Sequence, residues 1–116
     1  MKNLQELAFM PLLKGTLDAL VLKALSWGPM HAFEIGRWLA DRSAGELAIE
    51  EAALIQALHR MEERRLLVGE WGVTVNNRRA RYYKMTAAGR AHLRGEVESL
   101  KSSVTALTAV LAARSA

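Results

Sequence analysis

Between Leu66 and Thr86 two short β-like runs flank a polar turn that ends in adjacent arginines. The runs read Leu-Leu-Val-Gly-Glu-Trp-Gly-Val and Ala-Arg-Tyr-Tyr-Lys-Met-Thr, and Thr-Val-Asn-Asn-Arg-Arg joins them. Aromatic and β-branched residues bounded by asparagine and glycine are the signals of a β-hairpin. From Gly72 to Lys84 the segment carries Arg78, Arg79, Arg81 and Lys84 and no acidic residue. Hairpins do keep charge at their tips to prevent edge pairing. A helical segment directly upstream makes a polyanionic partner the stronger reading.

That upstream segment runs from about Glu50 to Arg65. At 100° per residue, Leu54, Ala57, Leu58 and Met61 share one face and Ala52, Gln56, His59 and Glu63 the other. Two further helices precede it. Leu12 to Leu25 repeats apolar residues at Leu13, Leu17, Leu20, Val21, Ala24 and Leu25, with Pro11 at its start and Trp27-Gly28-Pro29 at its end. Leu4, Leu7 and Ala8 suggest an earlier helical turn. From about Met30 to Arg42, Phe33, Ile35, Trp38 and Leu39 supply a buried side, and Ser43-Ala44-Gly45 closes the helix. Leu47-Ala48-Ile49 forms a short extended link. After the hairpin, Thr86 has the chemistry of an N-cap for a helix from about Ala87 towards Ala113. Leu93, Val97, Leu100, Val104, Leu107 and Leu111 follow alternately four and three residues apart, a heptad seam locally weakened by Gly95. So narrow a stripe suits pairing with a helix of a second copy, although it could also pack on the chain's own first helix. The expected fold is mainly α with one small β-hairpin: a winged helix-turn-helix over 1–86 and a dimerisation helix over 87–116, forming one continuous unit.

Composition limits the alternatives. The chain has 116 residues, 51% hydrophobic and 24% charged, with a formal net charge of +4. Those values suit one ordinary globular domain. There is no cysteine, which removes disulfides and thiolate metal sites and fits a reducing, cytoplasmic setting. No apolar run approaches membrane-spanning length, and the N-terminus does not read as a signal peptide. His31, His59 and His92 lack metal-ligand spacing, and His31 reads as a structural residue at a helix start. No phosphate-binding glycine loop, dinucleotide fingerprint or nucleophile elbow is present. The expectation is therefore a protein that is not an enzyme and takes no cofactor or metal. Trp27, Trp38 and Trp71 could line a pocket for a flat aromatic ligand, but core packing and hairpin cover are the stronger reading.

Several stretches together resemble the PadR family of bacterial transcriptional regulators. They are Leu13-Lys14-Gly15-Thr16-Leu17-Asp18, Ala24-Leu25-Ser26-Trp27-Gly28-Pro29-Met30-His31, Ala57-Leu58-His59-Arg60-Met61-Glu62 and, most specifically, Asn76 to Gly89. The resemblance implies a small dimeric repressor of the subgroup with one C-terminal helix. It implies operator binding through the winged helix and, in some members, release by a small aromatic inducer such as a phenolic acid or drug. The chain departs from the pattern after Glu50-Glu51. Ala52-Ala53-Leu54-Ile55-Gln56-Ala57-Leu58 stands where the family usually has Gly-Ser-Leu-Tyr-Pro-Ala-Leu. Ala32-Phe33 likewise replaces a usual Gly-Tyr. Hydroxyls that commonly touch the DNA backbone are thereby lost, and the core positions are kept.

For double-stranded DNA, the expected contacts divide between helix and wing. On the helix, Gln56 can pair with an adenine edge, His59 adds a donor, and Arg60 can reach guanine or phosphate; Ala52 and Ile55 can touch only thymine methyls. Glu62 and Glu63 would repel phosphate unless paired with Arg60, Arg64 or Arg65, and the last two also suit a helix C-terminus. On the wing, Arg78, Arg79, Arg81 and Lys84 reach phosphates or the minor groove. Strand alternation sends one of Tyr82 and Tyr83 inward and leaves the other for phosphate; the sequence leaves open which, and Tyr82 is included among the DNA contacts. Binding is expected to be wing-dominated and salt-sensitive. The alternative is a winged-helix protein-interaction module with weakened DNA affinity.

Overall fold

The computed structural model describes residues 15–115. The expected turn at Leu4, Leu7 and Ala8, and the start of the first helix at Pro11–Leu13, lie outside them. The elements are α1 (Thr16–Leu25), α2 (Ala32–Arg42), α3 (Glu51–Glu63), β1 (Leu67–Val73), β2 (Arg79–Met85) and α4 (Ala87–Ala112). Three helices followed by a hairpin and a long helix make a winged helix with a C-terminal extension.

The core follows from helical periodicity. Val21, Leu22 and Ala24 of α1, Ile35 and Leu39 of α2, and Leu54, Ala57, Leu58 and Met61 of α3 bury one face of each helix. The hairpin closes this cluster with Leu67, Tyr83 and Met85, and α4 adds Leu93.

Local chemistry sets the boundaries. The second helix begins at Ala32 rather than the expected Met30. His31 caps it, with Nδ1 accepting from the Glu34 amide at 3.4 Å and the Glu34 carboxylate accepting from the His31 amide at 3.1 Å. This reciprocal capping box satisfies two end donors. Met30 is instead extended and pairs with β2: its amide donates to the Tyr83 carbonyl at 3.2 Å, and the Tyr83 amide returns a bond at 2.9 Å.

Helix α3 ends in a left-handed turn. Leu66 N–H reaches the Met61 carbonyl at 2.9 Å and Arg65 N–H reaches that of Glu62 at 3.0 Å. This is a Schellman closure, built on Arg65 at φ 61° where glycine is the commoner choice. The hairpin is antiparallel, with Trp71 opposite Arg81 and Gly69 opposite Tyr83. Its turn closes through Asn77 N–H to the Thr74 carbonyl at 2.9 Å, with Asn77 itself at φ 60°. A three-residue loop with asparagine in the left-handed position matches the twist of the strands.

Thr86 caps α4 as expected, accepting from the Gly89 amide at 3.0 Å. Gly89 weakens the sequence signature of a capping box, and the structure supplies its reason: a Cβ there would overlap the Leu66 carbonyl oxygen. The apolar seam of α4 divides along its length. Leu93 is buried and Val97 packs against the same core, whereas Leu100 is half-buried and Val104, Leu107 and Leu111 are exposed. The helix outlasts the globule it starts on. Its 26 residues extend about 39 Å at 1.5 Å per residue, within a molecule 60 Å long and 22 Å in its shortest dimension.

Candidate nucleic-acid interface

Helix α3 turns one stripe outward. Ala52, Ile55, Gln56, His59, Arg60 and Glu63 are all exposed on it. Gln56 and His59 stand in solvent as the sequence predicts. Arg60 is held from below: its Nη2 donates to Asp18 Oδ1 of α1 at 3.0 Å. The Asp18 side chain is only 12% exposed, so the guanidinium neutralises a nearly buried carboxylate. Reaching a base edge would leave that charge unpaired, and the expected role of Arg60 in base reading therefore competes with a structural one.

The wing's cations also sort into separate environments. Arg78 occupies the tip and is exposed, as are Arg79 and Lys84. The Arg79 guanidinium lies over the Trp71 ring, 4.3 Å from its centroid, a cation–π contact made while the residue stays exposed. Arg81, on the same face of β2, reaches back to α3. Its Nη2 donates to Glu62 Oε2 of α3 at 2.6 Å, and its guanidinium lies 5.5 Å from Trp71 and 5.9 Å from Tyr83. The hydrogen bond to Glu62 raises the Arg81 pKa above its ordinary value, against an opposing effect of burial. A Cβ on Gly69 would fall 2.6 Å from this guanidinium, so the missing side chain of Gly69 is the seat on which Arg81 crosses β1.

Arg81 is thus a brace between the hairpin and α3, not an outward cation of the kind the sequence suggests. Glu62 does find a cationic partner, but that partner is Arg81 rather than Arg60, Arg64 or Arg65.

The tyrosines separate as strand alternation requires. Tyr83 is buried, and burial together with the Glu62 carboxylate raises its phenol pKa, with Arg81 opposing. Tyr82 faces the other side, half-buried, its ring 5.1 Å from His31 in an edge-on contact. It lies across Gly72, where a Cβ would come within 2.9 Å of the ring.

The tryptophans form no common pocket. Arg42 sits 5.6 Å from Trp27 and 5.5 Å from Trp38, while Trp71 belongs to the wing. A shallow groove of about 250 Å³ opens between α2 and the start of α3, lined by Ala32, Phe33, Gly36, Arg37, Ile49, Glu51 and Leu54; none of the tryptophans lines it. Among the described residues no cluster of metal-ligating side chains occurs. No helix of the described residues is long and apolar enough to cross a membrane.

Sequence reasoning missed the two ion pairs because their partners lie 42 and 19 residues apart. It had one available signal: glycines inside a strand mark close approach, and Gly69 and Gly72 each carry a side chain from β2 across them.

Comparison with known proteins extends this geometry. A PadR family transcriptional regulator from Eggerthella lenta is 26% identical, with a TM-score of 0.75 over 92% of this chain and 91% of that one. A PadR-like transcriptional regulator from Bacillus cereus is 21% identical, with the same TM-score over 90% of this chain and 99% of that one. PadR of Bacillus subtilis, solved in complex with operator DNA, superposes with a TM-score of 0.63 at 12% identity, over 70% of this chain and 46% of that one. These relatives are transcriptional regulators, not enzymes. The model of the transcriptional regulator PadR-like family matches residues 21–95. By that match, spanning the helices, the wing and the start of α4, the chain belongs to the PadR-like family of transcriptional regulators.

Proposed function

We propose that this protein is a dimeric repressor that grips operator DNA chiefly through its wing. The observation that carries the reading is the hairpin tip, where Arg78 and Arg79 are exposed and no carboxylate lies between Gly72 and Lys84. Two guanidinium groups at the end of a braced hairpin suit phosphate or minor-groove contact. Lys84 adds a further exposed charge. Gln56 and His59 supply the base-edge donors of α3. The exposed apolar residues of α4, Val104, Leu107, Val110 and Leu111, supply the surface through which two copies pair, and two-fold symmetry then offers two reading helices to two half-sites.

Fluorescence anisotropy with DNA from the protein's own promoter, against random DNA over a salt series, tests this reading. Tighter binding to promoter DNA with a steep salt dependence is expected. Equal, weak binding of both DNAs at physiological salt would sink it. A second reading, a winged-helix protein-interaction module, draws on the exposure of Phe33 (61%) and Ile55 (37%), and equal weak binding is the outcome it requires.

A further inference from the structure

On α3 the N-terminal half of the outward stripe presents apolar Ala52 and Ile55 after the exposed Glu51 of its first turn. Ala52 and Ile55 are exposed, and Gln56 is the single side-chain donor beside them. Arg60, one turn further on, is held by Asp18 at 3.0 Å. The groove between α2 and the start of α3 has Ala32, Phe33, Ile49 and Leu54 in its lining, with Arg37 and the exposed Glu51 as its charged members. Helix-turn-helix proteins present the N-terminal residues of the reading helix to base edges, while the preceding helix crosses the backbone. In the major groove one base-edge feature is apolar, the C5-methyl of thymine. A donor-poor, methyl-rich stripe therefore has one complementary base.

We propose that Ile55, with Ala52, selects thymine by contact with its C5-methyl, and that Gln56 reads an adjacent adenine, so that the centre of each half-site is a run of A·T pairs. This rests on the reading of the protein as an operator binder and names the bases it chooses. Exposed Ile55 gains by desolvation against the methyl group, an apolar contact that a hydroxyl-bearing residue at position 55 would make less well. Cytosine lacks the methyl, and its exocyclic amine would be left facing a side chain that cannot accept a hydrogen bond.

The test removes the methyl without touching the protein. The full chain first enriches a duplex from a randomised library, and each thymine of that duplex is then replaced singly by deoxyuridine, which keeps every Watson–Crick bond. One or two positions per half-site should bind about fourfold more weakly, the worth of one buried methyl. In Ile55→Ala the position that faces residue 55 should lose most of its sensitivity to this replacement, because most of the methyl's apolar partner is gone, while a position facing Ala52 keeps its own. If the library yields no enriched duplex, operator binding and thymine selection fall together. If it yields one and no deoxyuridine position weakens binding, operator binding stands and thymine selection is overturned. Equal sensitivity in Ile55→Ala and the parent protein would likewise overturn the assignment to Ile55.

Discussion

Gly89 shows how one missing side chain fixes the packing of two elements. As the third residue of α4 it costs about 1 kcal/mol of helix propensity relative to alanine. A Cβ there would collide with the backbone oxygen of Leu66, which is already engaged by the Thr86 amide at 3.0 Å. Backbone cannot step aside as a flexible side chain can, so overpacking outweighs propensity. Gly89→Ala is expected to lower unfolding free energy by about 1–3 kcal/mol, and urea denaturation followed by circular dichroism checks it; a gain in stability would contradict the close approach.

Tyr83 makes a second prediction at this scale. Its folded-state pKa is raised, first by burial and then by Glu62. An unfolded tyrosine releases its proton near pH ~10. Above that pH the folded chain holds a proton that the unfolded chain has lost, so stability falls as pH rises. Tyr83→Phe should flatten this alkaline fall relative to the parent protein while leaving the urea midpoint's pH dependence below about pH 9 unchanged.

Among the elements, the wing is the one whose charges divide most clearly by task. Arg78 and Arg79 project and Arg81 braces. Losing two phosphate contacts should reduce the slope of log affinity against log salt by roughly 1.8 units. That is the expected outcome for Arg78→Ala combined with Arg79→Ala in anisotropy titrations. Arg81→Ala should weaken binding and leave the slope unchanged, since the Glu62 partner already occupies its guanidinium; a slope reduced by about one unit would place Arg81 on phosphate instead.

The same element shows what was legible beforehand. Leu54, Ala57, Leu58 and Met61 repeat at helical spacing, and all four are buried as that spacing requires. The tip arginines follow a turn signal that needs only local sequence. Met30 does not announce itself, because its strand-like state depends on Tyr83, 53 residues later, for both of its hydrogen bonds. The direction of Arg81 is hidden for a related reason: alternation fixes the face of a strand, not the reach of a long side chain across a glycine to a neighbouring helix.

At the scale of the whole molecule, α4 serves two surfaces in succession. Leu93 and Val97 complete the core, and beyond Leu100 every described residue of the helix is exposed. Heptad spacing runs through both parts without a break, so the repeat could not reveal where the chain's own core stops. Leu107→Lys with Leu111→Lys should turn a dimer into a folded monomer in sedimentation equilibrium, with helical content retained. Leu93→Lys should instead unfold the domain. Persistence of the dimer in the first variant would move the interface elsewhere.

The helix also leaves the globule through a very short joint. Thr86 Oγ1 donates to the Arg65 carbonyl at 2.8 Å while accepting from Gly89, and the Thr86 amide donates to Leu66. The end of α3, the root of β1, the exit of β2 and the first turn of α4 are thus hydrogen-bonded within a few residues of one another. Mechanically this is a lever on a knuckle. Any swing of the long arm turns the roots of both α3 and the wing together, so in the proposed dimer the angle at which two arms cross would also set the span between the two wings.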